Sequence, residues 1–433
     1  MRLLVMGLGY RTVVPNVVYT GGLDEVVSNV YRRMDVPVTI FVRSTLSPTS
    51  PTITFRPAPN VTVNAAPVKP HRGLAGSERV FRVAIDHADM MYALDFTYTV
   101  LRGYIEPTRS LWSGDVVLHC HDWLTAKMIP LMKQSGEIPG VFSVHMSVPR
   151  PKDDYIQFLR LVEDWGMDNT DVRAKCYAMD RRLLLEAEGC HAADLVHAVS
   201  GSVAREVRSA YGIPQSKIRV IPNGVDTEVF SPPAPEDEAQ IRTVMGKYGL
   251  SKPFVLSAGR FVPEKGHREL ILAFERFSRN HPEYQLAIFG FGGYTKDELI
   301  RTKNALPSGA EGKVKIFDQD VRGDMPYLLK ACDIAAFPST LEAFGIVACE
   351  AMSAGKPVVV GNTGGMKEII DDAGNNKYGT RVNGGDPASI AEGLERAHQN
   401  REEWGRQARE VVEKRYSWDR IAQEYMKMYR ELV

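Results

Sequence analysis

The chain has 433 residues, of which 44% are hydrophobic and 24% are charged. This composition predicts a soluble globular protein, and the length predicts two domains of about 200 residues each. Basic residues and acidic residues both number 53, so the formal net charge of +0 excludes a global electrostatic attraction to nucleic acid or to an anionic membrane.

The sequence also predicts a compartment. No stretch reaches the roughly 18 consecutive apolar residues of a membrane-spanning helix, and the apolar start of the chain lacks a secretory cleavage site. The five cysteines have no metal-type spacing, which is typical of buried thiols in a reducing compartment. We therefore expect a cytoplasmic protein with no nucleic-acid partner, and assembly into a homo-oligomer is left open.

Short β-branched runs alternate with helical patterns, which predicts an α/β fold with doubly wound parallel sheets. Strands are predicted in the first half at residues 2–6, 37–42, 116–119, 141–144, 195–198 and 218–221. Strands are predicted in the second half at residues 254–258, 285–289, 314–317, 334–337 and 358–360. Helical patterns follow at residues 387–399, 401–414 and 418–432, and the segment 44–69 is interpreted as a loop or a strand excursion.

Residues 231–238 are rich in proline and acid, and such a segment can neither pair inside a sheet nor continue a helix. It predicts a first domain at 1–232, a linker region at 233–250, a second domain at 251–415 and a terminal helix at 416–433. In two doubly wound domains, the default ligand site is a cleft outside the carboxyl ends of the strands.

Several side chains of the first half fall at predicted strand ends. Gly21 and Gly22 open a helix after the first strand, where they would either expose backbone N–H groups to an anion or simply form a turn. His119, His121 and Asp122 end a later strand, and His145 follows the next strand. The two histidines share a strand face, but no further ligand completes a metal site, so a structural or substrate-contacting role is favoured.

Arg260 and Lys265 follow the first strand of the second half. A guanidinium and an ammonium together suit a diphosphate whose negative charge grows as it departs, and a solvated loop is the alternative interpretation. Asp318 and Asp320 spell an acidic tripeptide with Gln319 that could hold a metal, but so short a match is interpreted as a loop.

A strand-to-helix turn contains Glu342, Phe344 and Gly345 and leads into a helix that carries Glu350. Glu350 is expected about two turns inside this helix among apolar neighbours, where a carboxylate needs a hydrogen-bonding partner such as a pair of ligand hydroxyls. Two further glycines, Gly364 and Gly365, open another helix and repeat the possible arrangement of backbone N–H groups around an anion.

Taken together, these segments resemble the retaining glycosyltransferases of the GT-B fold, and most closely the glycogen and starch synthases with their short archaeal and bacterial members. The resemblance covers nearly the whole chain. It is carried by residues 21–23, 119–123, 144–145, 193–200, 222–226, 260–265, 342–350 and 364–365.

The resemblance implies two Rossmann-like domains that face each other across a cleft, with a nucleotide-diphosphate sugar held mainly by the second domain. Arg260 and Lys265 would bind the diphosphate, Glu350 the ribose hydroxyls, and Glu342 the hydroxyls of the donor sugar. The further donor-binding residues would be Gly21, Gly22, Phe344, Gly345, Gly364 and Gly365, and the further sugar-lining residues would be His145 and Asp122.

The implied reaction is transfer of a hexosyl unit, glucose in the first hypothesis, to an α-glucan with retention of configuration and without a metal or other cofactor. The alternatives are a lipid, sugar-phosphate or small-sugar acceptor, or a scaffold that binds nucleotide or glycan without transfer. Tyr19 stands where the synthases usually carry lysine, so the donor class is better specified than the acceptor.

Overall fold

The computed structural model describes residues 1–7, 22–44, 51–67, 97–108, 115–134, 138–145, 183–370 and 378–433. These residues form two compact units, the first made of residues 1–221 and 422–433 and the second of residues 222–421. Each unit is built on a largely parallel sheet, so the predicted α/β fold is confirmed. In the described ranges, no helix combines the length and apolarity required to cross a membrane.

The described part of the first sheet has eight strands in the order β3-β4-β2-β1-β5-β6-β7-β8. The strands are β1 Arg2–Met6, β2 Val38–Ser44, β3 Ile53–Ala58, β4 Val61–Pro67, β5 Val116–His121, β6 Gly140–Val144, β7 Leu195–Ala198 and β8 Ile218–Val220. Helices of this unit include Gly22–Val30, Met128–Gln134 and Gly201–Tyr211, with a further helix over residues 183–192. The core strands β1, β5, β6 and β7 are almost wholly buried, as expected for a sheet covered on both faces.

The segment 44–69 contains the antiparallel pair of β3 and β4. In β4 the side chains of Val61, Val63 and Ala65 are buried while those between them are partly exposed, which is the alternation of a strand with one covered face. Pro57 is tolerated because β3 lies at the end of the sheet, where one edge has no ladder to complete. The strand excursion, rather than the loop, is therefore the correct interpretation.

The described part of the second sheet has six parallel strands in the order β11-β10-β9-β12-β13-β14. The strands are β9 Phe254–Ala258, β10 Gln285–Gly290, β11 Val314–Asp318, β12 Ile334–Phe337, β13 Val358–Gly361 and β14 Gly379–Val382. The helix His267–Asn280 packs against Lys296–Asn304 and Pro387–Gln399. The helices Glu238–Lys247, Met325–Ala331, Ile346–Ser353 and Arg401–Arg415 pack in that order, each against the next. The helix Gly364–Ile370 contacts β13 and β14.

Residues 233–250 were predicted as a linker, but they contain the helix Glu238–Lys247 and belong to the second unit. The preceding Asp237 forms an ion pair of 2.8 Å with Lys330, and both side chains are largely buried. The proline and acid that indicated a linker instead serve the start of a packed helix, because proline and aspartate are both favourable there.

Both sheets reverse their strand order beside their first strand. In the first sheet β1 lies between β2 and β5, and in the second sheet β9 lies between β10 and β12. At such a reversal the loops that leave neighbouring strands diverge, which opens a crevice at the carboxyl edge of the sheet. In the second unit, this crevice is bordered by the loops that follow β9 and β12.

The chain ends in the helix Trp418–Arg430, whose residues from Ala422 onward belong to the first unit. The first residue of this helix, Trp418, packs closely on Gly224 of the second unit. A Cβ atom on Gly224 would lie 2.5 Å from the Trp418 indole. Further along, Tyr425 and Tyr429 are fully buried in the first unit.

Candidate active site

Lys265 and Glu342 form an ion pair in the second unit, with the ammonium nitrogen Nζ 2.6 Å from the carboxylate oxygen Oε2. Lys265 comes from the loop after β9 and Glu342 from the loop after β12, so the pair lies where the strand order reverses. Their side chains are only 20% and 18% exposed. A partly buried pair interacts more strongly than a solvated one, yet it is open enough for a charged ligand to reach.

The two loops are joined by their backbones. The Thr340 amide donates a hydrogen bond of 2.9 Å to the Glu264 carbonyl. Gly266 has a φ of 67°, and a Cβ atom there would lie 2.4 Å from the Pro338 carbonyl oxygen. Glycine at this position therefore permits the close approach that brings Lys265 beside Glu342.

Gly364 and Gly365 pack against the backbone of the Glu342 loop. The Gly365 amide donates to the Glu342 carbonyl at 3.2 Å, and a Cβ atom on Gly364 would lie 1.5 Å from the same carbonyl oxygen. These glycines thus have a packing role in holding the backbone of Glu342. The sequence interpretation as an anion-binding helix start stays a prediction.

Phe344, Gly345 and Glu350 follow Glu342 along the chain. Phe344 is buried against the Tyr416 ring, and Gly345 precedes the helix Ile346–Ser353. This helix begins later than the sequence indicated, so Glu350 lies about one turn inside it rather than two. Glu350 is half-buried, and together with burial its carboxylate raises the pKa of the Cys349 thiol beside it.

Arg260 is the most accessible charge of the β9 loop. Its side chain is 60% exposed, and its guanidinium lies 4.0 Å from the Glu264 carboxylate, which is a loose pairing. An exposed pair of this kind contributes little to stability. The guanidinium is therefore available to a ligand at little energetic cost.

His267 is a buried side chain next to the same loop. It is buried at the start of the helix His267–Asn280, and its Nδ1 lies 3.4 Å from the Ser257 hydroxyl. Burial lowers the pKa of His267 to about 4, and the Lys265 ammonium adds to the lowering. The imidazole is thus neutral at neutral pH and adds no charge to the Lys265–Glu342 pair.

In the first unit, Asp122 and His145 lie at the carboxyl ends of β5 and β6. Asp122 has a φ of 70°, which is unusual for a residue other than glycine, and its carboxylate accepts a hydrogen bond of 2.6 Å from the Trp123 amide. Gly22 is the first residue of the helix Gly22–Val30. Tyr19 and Gly21 lie outside the described residues.

His145 is connected to a group of polar side chains that we call the His–Tyr network. Apart from the half-buried His145, its members are fully buried. They are Tyr31, His119, His121, Ser143, His145, His197, Tyr425 and Tyr429.

His119 and His121 both form hydrogen bonds with other members of this network. The nitrogens of His119 contact the hydroxyls of Tyr31, Ser143 and Tyr429, and those of His121 contact Tyr31 and His145. Sequence reasoning found His119, His121 and His145 but missed His197, the tyrosines and the serine. The signal available was the repeated placement of polar residues in strands that are otherwise continuously apolar.

The two carboxylates of the acidic tripeptide, Asp318 and Asp320, pair with basic side chains. Asp318 lies 3.0 Å from the Lys296 ammonium, and Asp320 binds Arg322, which lowers the pKa of that carboxyl. Across the described ranges, no group of three or more histidine, cysteine, aspartate or glutamate side chains could hold a metal. Asp318 is the last residue of β11, whereas Gln319 and Asp320 follow the strand in a loop, so the loop interpretation holds for those two residues.

Comparison with known proteins identifies the family. Residues 242–411 match the family "Glycosyl transferases group 1", and residues 29–229 match "Glycosyltransferase Family 4". An uncharacterized glycosyltransferase of Methanocaldococcus jannaschii is 33% identical over 322 residues, which are 72% of this chain and 75% of the relative. The chain belongs to the group 1 glycosyl transferases.

A second relative of this glycosyltransferase is the D-inositol 3-phosphate glycosyltransferase of Xylanimonas cellulosilytica, which is 28% identical across 95% of this chain and 92% of the relative. Among solved structures, the sucrose-phosphate synthase of Thermosynechococcus elongatus superimposes with a TM-score of 0.69 at 20% identity, covering 100% of this chain and 98% of that one. The fold is therefore GT-B, as the sequence predicted.

Proposed function

We propose that this glycosyltransferase transfers a hexosyl unit, with glucose as the first candidate, from a nucleotide-diphosphate sugar to a hydroxyl acceptor with retention of configuration. The observation that carries the proposal is the Lys265–Glu342 pair, held 2.6 Å apart at the point where the second sheet reverses its strand order. Ligands of open α/β sheets bind at this point.

The proposed chemistry follows from the charges of these residues. When the bond between the anomeric carbon and oxygen breaks, the electron pair stays on the nucleotide diphosphate and the sugar gains positive character. Lys265 and Arg260 would stabilise the growing negative charge without needing a metal. The acceptor oxygen forms the new bond on the same face, and its proton passes to an oxygen of the leaving phosphate.

Glu342 has two proposed states in this reaction. Without donor it pairs with Lys265, which keeps both charges satisfied. When a diphosphate takes over the ammonium, the carboxylate is free to accept hydrogen bonds from the sugar hydroxyls. Glu350 would bind the ribose hydroxyls, and His145 and Asp122 are the proposed sugar contacts of the first unit.

For the acceptor, we propose a small phosphorylated sugar or polyol. The support is the relative named for D-inositol 3-phosphate, which matches nearly the whole length of the chain. Tyr19, where the glucan synthases usually carry lysine, agrees with an acceptor other than glucan. An α-glucan is the second candidate, because residues 119–123 and 342–350 resemble the glycogen and starch synthases.

The test is a matrix of UDP-glucose and ADP-glucose against inositol 3-phosphate, glucose 6-phosphate and glycogen, with release of the nucleoside diphosphate as the measurement. We expect turnover with a phosphorylated acceptor, an α-anomeric product by proton NMR, and full activity in the presence of chelator. Turnover with glycogen alone would select the second candidate. Donor binding by calorimetry without any product would instead select a scaffold that does not transfer.

A further inference from the structure

The hydrogen-bonding directions of the His–Tyr network can be worked out from one fixed end. His197 Nε2 lies 2.8 Å from the Ile221 carbonyl oxygen, which only accepts, so Nε2 carries the proton. Burial lowers the pKa of His197 to about 4, so the ring is neutral and its Nδ1 must accept. The Ser143 hydroxyl, 2.6 Å away, therefore donates to His197 Nδ1.

The direction of the Ser143 hydrogen bond also fixes that of His119. Because Ser143 uses its proton on His197, its oxygen must accept from His119 Nε2 at 2.6 Å. Burial lowers the pKa of His119 well below the usual value, so this ring is neutral as well. His119 Nδ1 is then an acceptor, and it faces two hydroxyls, that of Tyr429 at 2.5 Å and that of Tyr31 at 2.8 Å.

Tyr429 decides which hydroxyl donates to His119. If Tyr429 did not donate there, its oxygen and His119 Nδ1 would be two acceptors 2.5 Å apart, an arrangement that costs energy rather than gaining it. Among the network members, all of which the structure describes, the other acceptor near its proton is the Tyr31 oxygen, at the longer distance of 3.3 Å. Burial raises the pKa of Tyr31 and Tyr429, so both hydroxyls keep their protons.

With Tyr429 donating to His119, the proton of Tyr31 is directed to His121. The Tyr31 hydroxyl lies 2.5 Å from His121 Nε2, which must then accept. Neutral His121 carries its proton on Nδ1 and donates to His145 Nε2 at 2.8 Å. The two rings lie 29° from parallel with centroids 5.1 Å apart, which fits an edge-to-edge hydrogen bond.

We propose that Tyr429, on the terminal helix, is a positioning residue that fixes His145 as the tautomer with its proton on Nδ1. The effect passes through Tyr31 and His121, since each can hydrogen-bond in either direction. His145 thereby presents an N–H donor, rather than a bare nitrogen, on the ring edge that does not face His121. The tautomer follows from the network alone, while its consequence for transfer depends on the proposed function.

The test is the Tyr429→Phe variant of the full chain, labelled with ¹⁵N-histidine and examined by long-range proton–nitrogen NMR, which distinguishes the two neutral tautomers of each ring. His145 is assigned from the signals that a His145→Gln variant lacks. Without the Tyr429 hydroxyl, Tyr31 turns its proton to His119 and accepts from His121, so His145 must donate through Nε2. We expect the parent to show His145 protonated on Nδ1 and the variant to show it protonated on Nε2.

Tyr425→Phe is the matched control: its hydroxyl contacts Ser143 and lies 3.3 Å from His197 Nδ1, but the Ser143 proton is directed to His197 at 2.6 Å with or without it. This variant should leave the His145 tautomer unchanged. Tyr31→Phe removes the link itself, so adding Tyr429→Phe to it should change the His145 signals no further. A parent protein with His145 protonated on Nε2, or a Tyr429→Phe variant with unchanged His145 signals, would overturn the proposal.

Kinetics separate this proposal from the proposed function. If His145 contacts the sugar, Tyr429→Phe should lower kcat roughly ten-fold and leave the KM of the donor unchanged, and Tyr425→Phe should lower neither. A tautomer change in a protein that transfers no sugar would refute the proposed function and leave the tautomer assignment intact. A ten-fold loss of kcat without a tautomer change would refute the assignment and leave the function intact.

Discussion

The His–Tyr network of the first unit and the Lys265–Glu342 pair of the second use polar groups in opposite ways. The network is almost wholly buried, and burial lowers the pKa of its histidines and raises that of its tyrosines, so its members are neutral. The ion pair keeps two full charges at about one-fifth exposure, on loops rather than strands. The network thus specifies directions of hydrogen bonds, and the loops supply charge.

Because of this contrast, the two regions should respond to different changes. A neutral buried network tolerates rearrangement of its protons but not the arrival of a charge, because charging a buried group is costly. A largely buried ion pair that is still about one-fifth exposed, on backbone-joined loops, tolerates exchange of one charged partner for another, such as a phosphate. The mutations and conditions below test the two regions separately.

The largest expected effect is on activity in the second unit. Lys265→Met should lower kcat/KM for the nucleotide sugar by roughly 100- to 1000-fold, about 3–4 kcal/mol, because the cation that we propose beside the leaving group is lost. The measurement is release of the nucleoside diphosphate at several donor concentrations.

Lys247→Met is the matched control for Lys265, because its ammonium pairs with Asp324 in the same unit but is 57% exposed. It should retain the parent rate. If Lys265→Met is as active as this control, the Lys265 charge has no part in transfer. The charged loops of the second unit would then not be the source of activity that distinguishes them from the His–Tyr network.

The next effect is on stability. Gly364→Ala should lower the free energy of unfolding by about 3 kcal/mol, since the new Cβ would lie 1.5 Å from the Glu342 carbonyl oxygen at a φ of 49°. Gly246→Ala, in the helix Glu238–Lys247 with open space at its Cβ, should be neutral or slightly stabilising. Urea denaturation of both variants gives the comparison, and equal stability would show that the Glu342 loop moves freely to admit a side chain.

Lowering the pH should destabilise the folded protein through the His–Tyr network. His197 has a pKa of about 4 when folded and about 6.5 when unfolded, so between these values the unfolded chain binds the extra proton. Its contribution to the free energy of unfolding therefore falls as the pH is lowered, by about 2 kcal/mol between pH 7 and pH 5.

The His197→Gln variant tests this assignment, because glutamine can still donate to the Ile221 carbonyl but does not titrate. Its urea midpoint should depend less on pH between 7 and 5 than that of the parent, and the exposed His191→Gln serves as the control with parental dependence. An unchanged slope in His197→Gln would mean that the ring is charged or solvated in the folded protein. The network would then not be the neutral region described above.

The strands that sequence reasoning located best are the buried parallel ones. β7, β9 and β12 begin and end where predicted, because a strand buried on both faces is a continuous apolar run. β14 was missed, since Gly379 and Arg381 break its pattern and its partner β13 supplies the context that makes it a strand.

The sequence indicated the candidate site residues one by one but not their arrangement. Lys265 and Glu342 are 77 positions apart, and only the reversal of strand order around β9 brings their loops together. Tyr429 and His119 are 310 positions apart, so no local pattern connects them. A sequence shows which side chains have suitable chemistry, whereas hydrogen-bond partners at such separations are determined by the fold.

The smallest expected effect concerns the end of the terminal helix, where Arg219 of the first unit binds Glu431 at 2.5 Å. Glu431→Gln should lower the free energy of unfolding by only about 0.5 kcal/mol, because both side chains are more than 30% exposed and water screens the pair. Urea denaturation at low and high salt is the measurement, and the difference from the parent should shrink as salt is added. A loss as large as that of Gly364→Ala would mean that this surface pair, and not the buried tyrosines, holds the terminal helix on the first unit. In that case Glu431→Gln would abolish the salt dependence of the free energy of unfolding. Tyr425→Phe and Tyr429→Phe would leave that salt dependence unchanged.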